Sequence, residues 1–570
     1  MIALAACGDS DPHASRGLSG VLITLDTTNA PALGVYGGRA GITPRLDALA
    51  AESLVYENAR TVAPLTFPAH SSMLTGLYPP RHTVRDNGLT PLPESASTLA
   101  ESARDHGYQT AAFIAAVVLA APYGLNQGFE TYDDPIGERV HERRAAQVTR
   151  AAVDWLKARD RDRPFFLWVH YFDAHFPHEP APRYVEQVKA NTQTRFPEYL
   201  AEIAQIDDAM GELLATLEEE GLFDTSLVAV VADHGESLYR HGEPTHSILA
   251  YDTTIRVPLF LRYPDRYRAG HRSDEIVSVI DLHPTFLEAF GLPLPEQTDG
   301  LSLYRRRVPE DRGVYFESMA GYLSCGWSPL SGFADAQGTY LHSSVPELYA
   351  AADLGQLHNL LDEDPARARF YRQEIARLAE RPKLEASESR LDDEDRQRIQ
   401  ELGYLGGADP ELAPPHPLET GDLPNPRDHI TDLGRFMDAS LLAKDGQIDE
   451  AIAELTDYLK TATNQRAGEL LGQLLSKQGR FDEAIPILKS VTESGVPRRN
   501  STTLLAAALE HTGQPEQARQ LYLKAHQTWP DAPSYVEGLI RLSDQLGHPQ
   551  EADRFRRLLS SMTGAAERQD

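Results

Sequence analysis

Residues 226–235 read Ser-Leu-Val-Ala-Val-Val-Ala-Asp-His-Gly, a mostly apolar run that ends in an acid and a histidine. Two further stretches have the same form. Residues 21–26 read Val-Leu-Ile-Thr-Leu-Asp, and residues 164–172 read Pro-Phe-Phe-Leu-Trp-Val-His-Tyr-Phe, directly before Asp173 and His175. Short, continuously apolar runs of this kind are typical of strands that are buried on both faces of a parallel sheet.

Helical patterns lie between these strands. Residues 142–158 and 199–220 carry apolar residues at three- and four-residue spacing, which is typical of amphipathic helices. The alternation predicts an α/β fold with a central, mostly parallel sheet and helices on both of its faces. Because ligands in such folds bind beyond the carboxyl ends of the strands, we expect one site to collect the polar residues that follow the three strands: Asp26, Asp173, His175, Asp233 and His234.

The overall charge restricts the partners of the chain. Its 570 residues include 84 acidic and 54 basic ones, which gives a formal net charge of −30. Such a field repels nucleic acid and anionic membranes, so we expect neither as a partner. It also repels an anionic ester substrate, so an enzyme for such a substrate needs a locally positive site. A bound divalent metal is the obvious source of that charge.

The N-terminus carries a possible targeting signal. Residues 4–7 read Leu-Ala-Ala-Cys and are followed by Gly-Asp-Ser, which resembles a bacterial lipoprotein box. We therefore interpret residues 1–18 as a truncated lipoprotein-type leader or a disordered N-terminus, and expect a periplasmic or cell-envelope protein that is tethered only through a lipidated Cys7. A cytoplasmic protein is the alternative if the match is a coincidence. No apolar run approaches the ~20 residues of a transmembrane helix.

The C-terminal part has a different organisation. Residues 381–428 are acidic and then proline-rich, which predicts a linker. In residues 429–570, four glycines each precede an alanine by five residues and recur at intervals of 33, 34 and 34: Gly446, Gly479, Gly513 and Gly547. This period is typical of tetratricopeptide repeats, and a non-repeating helical bundle is the alternative. We expect the repeat domain to bind a protein or peptide partner, or the catalytic domain of the same chain.

Residues 64–79 carry the most specific motif of the chain. They read Pro-Leu-Thr-Phe-Pro-Ala-His-Ser-Ser-Met-Leu-Thr-Gly-Leu-Tyr-Pro. The stretch resembles the nucleophile signature of sulfatases, C/S-x-P-x-R, with Thr66 in the nucleophile position and His70 in the arginine position. The Thr-Phe-Pro-x-His form is similar to that of nucleotide pyrophosphatase/phosphodiesterases, which belong to the same alkaline-phosphatase superfamily.

This resemblance extends over roughly residues 19–410. It implies an alkaline-phosphatase/sulfatase-like sandwich for the catalytic domain, residues 19–380, in which Thr66 is the nucleophile. Asn87, twenty-one residues further on, matches an asparagine that contacts a phosphoryl oxygen in the phosphodiesterase family. A threonine hydroxyl needs activation by a metal or a base before it can act as a nucleophile.

The resemblance also implies a metal site formed by Asp26, Thr66, Asp233 and His234. Two carboxylates, an imidazole and an alkoxide suit Zn²⁺ or Mn²⁺ better than Ca²⁺. The roles of His175 and His246 stay open. They either bind the substrate oxyanion and protonate the leaving group, or hold a second metal together with Asp173.

The predicted function is metal-dependent hydrolysis of a phosphoric or sulfuric ester through a covalent Thr66 intermediate. Sulfatases use a formylglycine made from Cys or Ser, and Thr cannot be converted to that aldehyde. This difference favours a phosphate diester or a phosphonate ester as substrate. Transfer of a phospho-head-group, sulfuric ester hydrolysis and a non-catalytic repeat scaffold are the alternatives.

Overall fold

The computed structural model describes residues 17–39, 41–88, 90–134, 143–387, 414–493, 496–530 and 532–566, without the side chains of residues 563–566. The chain divides into two compact units. Unit 1 comprises Met1–Met319, Pro329–Tyr404 and Pro415–Thr420, and unit 2 comprises Ala320–Ser328, Leu405–Pro414 and Gly421–Asp570. The predicted lipidation site at Cys7 and the acidic part of the predicted linker lie outside the described residues.

Unit 1 is built around an eight-stranded sheet with the order β4-β3-β5-β1-β6-β7-β2-β8. Strand β7 runs antiparallel to both of its neighbours, and every other pair of strands in this sheet is parallel. The predicted α/β fold with a mostly parallel sheet is therefore confirmed. The strands are β1 Ser19–Leu25, β2 Leu54–Arg60, β3 Gln109–Phe113, β4 Thr131–Asp133, β5 Phe165–Tyr171, β6 Ser226–Ala232, β7 Arg256–Arg262 and β8 Arg272–Ser278.

The helices of unit 1 fall into two groups that pack among themselves. One group contains α1, α5, α6 and α7, and the other contains α2, α4 and α9. The predicted helices at 142–158 and 199–220 correspond to α5 and α7. The helices are α1 Pro44–Ala51, α2 Thr66–Thr75, α3 Pro79–His82, α4 Leu99–Asp105, α5 Ala145–Ala158, α6 Pro182–Asn191, α7 Pro197–Glu219, α8 Asp252–Ile255, α9 Leu282–Phe290 and α10 Pro365–Ala379.

A second, smaller sheet completes unit 1. Its four strands are antiparallel, in the order β12-β11-β10-β9. The strands are β9 Gly313–Ser318, β10 Leu330–Asp335, β11 Gly338–His342 and β12 Glu347–Ala350. Helix α10 packs against this sheet, where the rings of Phe333 and Tyr371 lie 5.7 Å apart.

Two parts of the predicted linker are hydrogen-bonded to the rest of unit 1. Arg81 donates to the carbonyl of Pro382 at 2.9 Å, and Arg85 donates to the carbonyl of Pro415 at 2.8 Å. A third bond joins the Ser331 hydroxyl to Pro417 O at 2.7 Å. Proline has no N–H donor but keeps a carbonyl acceptor, so a proline-rich segment can be held by side chains that donate to its carbonyl groups. These parts of residues 381–428 are therefore docked segments.

Unit 2 is helical. Its helices are α11 Pro426–His429, α12 Leu433–Lys444, α13 Ile448–Tyr458, α14 Gln465–Lys477, α15 Phe481–Glu493, α16 Arg499–His511, α17 Pro515–Thr528, α18 Pro533–Gln545 and α19 Pro549–Ala566. From α12 onward, consecutive helices contact each other. Across the described ranges of both units, none of the helices is long and apolar enough to span a membrane.

The periodic glycines and alanines of unit 2 have distinct structural roles. All four glycines have φ between 73° and 80°, the left-handed region in which glycine is unstrained. The alanines five residues later, Ala451, Ala484, Ala518 and Ala552, are fully buried. The helical region thus fits the predicted period, and its identification as tetratricopeptide repeats stays a prediction.

The turn glycines give a test of this unit. Gly479→Ala should lower the free energy of unfolding by about 1 kcal/mol, because φ is 73° and a Cβ there meets no other atom within 4 Å. Gly434→Ala is the matched control, since Gly434 is also surrounded by open space but lies in helix α12. The control should be neutral or stabilising by up to about 1 kcal/mol. Urea unfolding followed by circular dichroism measures both, and equal effects of the two substitutions would contradict this role of the turn.

Candidate active site and metal centre

Asp26 and Asp233 lie side by side because strands β1 and β6 are neighbours. The parallel register pairs Leu25 with Ala232, the last residues of the two strands. Asp26 and Asp233 follow these residues directly, and both are fully buried. On the other side of β1, the Asp26 N–H donates to the carbonyl of Tyr171 at 2.9 Å. The three predicted strand ends therefore meet at one edge of the sheet.

Each of the two carboxylates has one bonded and one unbonded oxygen. Asp233 Oδ1 accepts from the N–H of Thr27 at 3.1 Å and of His234 at 2.7 Å, and Asp26 Oδ2 lies 3.2 Å from His170 Nε2. Asp26 Oδ1 and Asp233 Oδ2 are buried without a hydrogen-bond partner. Burial raises the pKa of both carboxyl groups to about 6, which shows how costly their charge is without a counter-ion.

His234 presents one ring nitrogen to this pair. Its Nδ1 lies 3.0 Å from the carbonyl of Gly235 and donates to it, so Nε2 carries the lone pair in the neutral form of the ring. Nε2 lies 3.5 Å from Asp233 Oδ2. Burial lowers the pKa of His234, but the carboxylates of Asp233 and Asp26 outweigh burial, and the net shift is upward.

The arrangement fits a divalent metal. Ligand atoms of Asp26, Asp233 and His234 all lie within 4.8 Å of one another, and no other group of three such side chains is found among the described residues. The unbonded carboxylate oxygens and the imidazole lone pair are the groups that a metal would satisfy. The donor set of oxygen and nitrogen is compatible with Zn²⁺ or Mn²⁺, and the identity of the metal remains a prediction.

His170 is a residue of the site that the sequence analysis missed. The Ala115 N–H lies 3.3 Å from His170 Nδ1, so Nε2 carries the proton and donates to Asp26. His170 is the penultimate residue of β5, and the strand pattern by itself accounts for its burial. A histidine inside an otherwise apolar buried strand is the signal that would have identified it, because a buried imidazole needs a polar partner.

Thr66 is the first residue of helix α2, and it is fully buried beside the cluster of Asp26, Asp233 and His234. Its Oγ1 lies 3.4 Å from His234 Nε2. The next turn is fixed by His70, whose Nδ1 lies 2.8 Å from the Thr66 carbonyl. Burial lowers the pKa of His70 to about 3, so this residue brings no fixed positive charge to the position where the sulfatase signature has arginine.

Asn87 lies at the N-terminus of the same helix. Its Oδ1 accepts from the Phe67 N–H at 2.8 Å, while its Nδ2 is buried without a hydrogen-bond partner. Pro68 has no N–H, and the Ala69 N–H already donates to Leu65 O at 3.2 Å. The amides at positions 67–69 are thus not available to a substrate. Asn87 Nδ2 has no hydrogen-bond partner among the described residues, and its contact with a substrate oxygen stays a prediction.

Asp173 is held by the protein itself. Its Oδ2 accepts from the Ala145 N–H at 2.8 Å, and its Oδ1 accepts from Gln205 Nε2 at 2.7 Å. Both oxygens are directed into the packing between β5 and helices α5 and α7. This geometry speaks against Asp173 as a metal ligand, so the tentative second metal loses its carboxylate.

His175 and His246 lie beside His234. The ring centroids of His175 and His246 are 5.1 Å apart, and those of His246 and His234 are 4.5 Å apart. His246 Nδ1 lies 3.3 Å from Glu236 Oε2. Burial raises the pKa of Glu236 to about 8 and lowers the pKa of His246. Such a pair suits proton transfer.

Metal content tests this assignment. Asp233→Asn should abolish stoichiometric binding of Zn²⁺ or Mn²⁺, because it removes a charged ligand from the cluster. Asp173→Asn, which also neutralises a buried carboxylate, should keep the wild-type stoichiometry. Elemental analysis of the purified protein, after reloading with Zn²⁺ or Mn²⁺, measures the metal content of both variants. Loss of metal in the Asp173 variant alone would show that the ligands have been assigned to the wrong strand end.

Comparison with known proteins agrees with the geometry. Residues 20–292 match the sulfatase family model. An N-acetylglucosamine-6-O-sulfatase from Bacteroides thetaiotaomicron is 23% identical over 419 residues, which span 55% of this chain and 74% of the relative.

Two solved structures share the fold. One is a protein in complex with its substrate D-glucosamine-2-N,6-O-disulfate, with a TM-score of 0.55, 19% identity, and coverage of 64% of this chain and 98% of that one. The other is a phosphonate monoester hydrolase of Agrobacterium radiobacter, with a TM-score of 0.50, 20% identity, and coverage of 63% and 95%. Residues 20–292 thus match the sulfatase family, and the chain shares the fold of these solved structures.

Proposed function

We propose that unit 1 is a metal-dependent hydrolase for esters of a tetrahedral oxoacid, with Thr66 as the nucleophile. The observation that carries this proposal is the position of the Thr66 hydroxyl, 3.4 Å from the lone-pair nitrogen of His234 and beside two incompletely bonded carboxylates. A capping role does not explain this threonine, because the N-cap residue of helix α2 is Leu65, whose side chain makes no capping hydrogen bond. The adjoining cluster of Asp26, Asp233 and His234 argues against a non-catalytic scaffold.

The reaction follows from the positions of the side chains. A divalent metal held by Asp26, Asp233 and His234 would supply positive charge that favours the Thr66 alkoxide and the anionic substrate. Thr66 Oγ1 releases its proton to solvent and forms a bond to phosphorus or sulfur in line with the leaving oxygen, whose bond to that atom breaks. Asn87 Nδ2 donates a hydrogen bond to an oxygen of the transferred group, where negative charge accumulates. Hydrolysis of the Thr66 ester by water completes the cycle.

In this proposal His246 and His175 donate a proton to the leaving oxygen. His246 is oriented by Glu236, and this pair can deliver a proton to the departing oxygen. In the second half of the reaction the same pair can accept a proton from water. The lack of a free carboxylate at Asp173 supports this role over a second metal centre.

Phosphorus esters are the substrate class that the nucleophile favours. Thr66 cannot become formylglycine, and His70 supplies no arginine-like charge at the signature position. A similar solved structure is a phosphonate monoester hydrolase of Agrobacterium radiobacter, which supports a phosphorus ester as substrate. Phosphate diesters and phosphonate monoesters are therefore the first candidates. Transfer to an acceptor other than water would use the same first step.

Sulfate ester hydrolysis is the second candidate, and it is the activity that the similar proteins support. The family model is that of the sulfatases, and the relative from Bacteroides thetaiotaomicron is named as one. A sulfate ester is also a tetrahedral anion with a leaving oxygen, so the same side chains could act on it. In that case Thr66 would carry a covalent sulfate.

Substitution of Thr66 tests the nucleophile. Thr66→Ala should lower kcat by about 10³-fold or more, and Thr66→Ser should keep measurable turnover, because only the alanine removes the attacking oxygen. Thr75→Ala is the matched control: it lies on the same helix, and its hydroxyl bonds Ser71 O at 2.7 Å.

The assay compares p-nitrophenyl phosphate, bis-p-nitrophenyl phosphate, a phenylphosphonate ester and p-nitrophenyl sulfate, each with Zn²⁺ or Mn²⁺. Turnover of the phosphorus esters that depends on Thr66 supports the first candidate, and dominant sulfate turnover supports the second. Equal activity of wild type and Thr66→Ala would refute the mechanism.

Asn87→Ala should lower kcat by about 10²-fold with a smaller change in KM, because the lost hydrogen bond strengthens as charge develops on the transferred group. Asn87→Asp should be worse, since a carboxylate would repel the anionic group. Steady-state kinetics with the preferred ester measures both variants. An Asn87→Ala enzyme with wild-type kcat would remove Asn87 from the catalytic machinery.

A further inference from the structure

The turn after strand β1 is strained and is fixed by a tyrosine of helix α7. Thr27 has a φ of 48°, a left-handed conformation that residues with a Cβ rarely adopt. The buried Tyr199 hydroxyl donates to Thr27 O at 2.9 Å and accepts from the Asn29 N–H at 2.9 Å. One hydroxyl therefore bridges both ends of the strained turn.

The strained turn controls the orientation of Asp233. The Thr27 N–H donates to Asp233 Oδ1 at 3.1 Å, and the His234 N–H donates to the same oxygen at 2.7 Å. These two bonds fix the carboxylate so that Oδ2 is the oxygen left without a partner.

Asn29 extends the connection to the loop that follows His234. Its Oδ1 accepts from the Glu236 N–H at 2.7 Å, and its Nδ2 donates to Glu236 O at 2.8 Å. The approach is so close that a Cβ on Gly235 would collide with Asn29 Oδ1 and with the carbonyl oxygen of Thr253. Only glycine permits this contact, which joins the loop of the first acid to the loop of the second acid and the histidine.

We propose that Tyr199 is a positioning residue that, through Thr27 and Asn29, holds Asp233 and His234 in the geometry that binds a divalent metal. The inference rests on the metal-dependent function proposed above. Tyr199 contacts neither the substrate nor the reacting atoms; it acts through the turn. Residues that orient metal ligands in this way commonly affect metal affinity about 10–100-fold.

Metal affinity of the full chain tests the proposal. Tyr199→Phe removes one oxygen and keeps the ring, and it should weaken binding of Zn²⁺ and Mn²⁺ at least tenfold in competition with a chromophoric chelator. Tyr171→Phe is the matched control, because its hydroxyl is also buried and bonded, to Thr149 at 2.7 Å, but does not contact the turn. The control should bind metal within twofold of wild type.

A rescue experiment separates positioning from a general structural role. Glycine adopts a φ of 48° without the penalty of a Cβ, so Thr27→Gly combined with Tyr199→Phe should recover part of the lost affinity. Wild-type affinity in Tyr199→Phe, equal losses in both tyrosine variants, or no recovery in the double variant would each contradict the proposal.

The outcome is independent of turnover. If the wild type binds metal and Tyr199→Phe binds it weakly, the positioning role stands even when no tested ester is cleaved, and only the proposed hydrolysis is refuted. A wild-type chain that binds neither Zn²⁺ nor Mn²⁺ would overturn both proposals together.

Discussion

Two fully buried carboxylates at neighbouring strand ends, Asp26 and Asp233, determine the rest of the site. Burial of a carboxylate away from water is costly, and burial raises the pKa of both groups to about 6. The chain reduces this cost at one oxygen of each carboxylate: His170 donates to Asp26 Oδ2, and two backbone N–H groups donate to Asp233 Oδ1. It leaves the other two oxygens, Asp26 Oδ1 and Asp233 Oδ2, without hydrogen-bond partners. A divalent cation held by Asp26, Asp233 and His234 would offset this buried negative charge.

The sequence predicted this core well because parallel strands impose strong constraints. A strand buried on both faces must be apolar throughout, so β1, β5 and β6 are readable as uninterrupted runs. Their carboxyl ends must lie on one edge, so the acids that follow them must be close together. Asp26, Asp233 and His234 were therefore predictable as a cluster, and the adjoining position of Thr66 followed from the motif at residues 64–79.

The other residues of the site could not be predicted, because the strand and helix patterns account for their burial without any role in the site. His170 and Tyr199 occupy positions that strand and helix periodicity already explain, and only the tertiary structure shows which polar atoms they reach. Asp173 failed in the opposite direction. It follows a strand as a ligand would, yet each of its oxygens accepts a hydrogen bond, one from Ala145 and one from Gln205. Position at a strand end indicates proximity, but the hydrogen bonds decide the role.

The central claim is that Thr66 carries the covalent intermediate, and chemical trapping tests it most directly. The enzyme is mixed with an excess of the ester that it turns over, quenched with acid, digested, and analysed by high-resolution mass spectrometry, which separates a phosphoryl from a sulfuryl adduct. The account predicts an adduct on Thr66 of the peptide that contains residues 64–79. In the Thr66→Ser variant the adduct should move to the serine introduced at that position, and in Thr66→Ala it should be absent. An adduct on another residue, or turnover with no adduct on residue 66 at any quench time, would contradict the account.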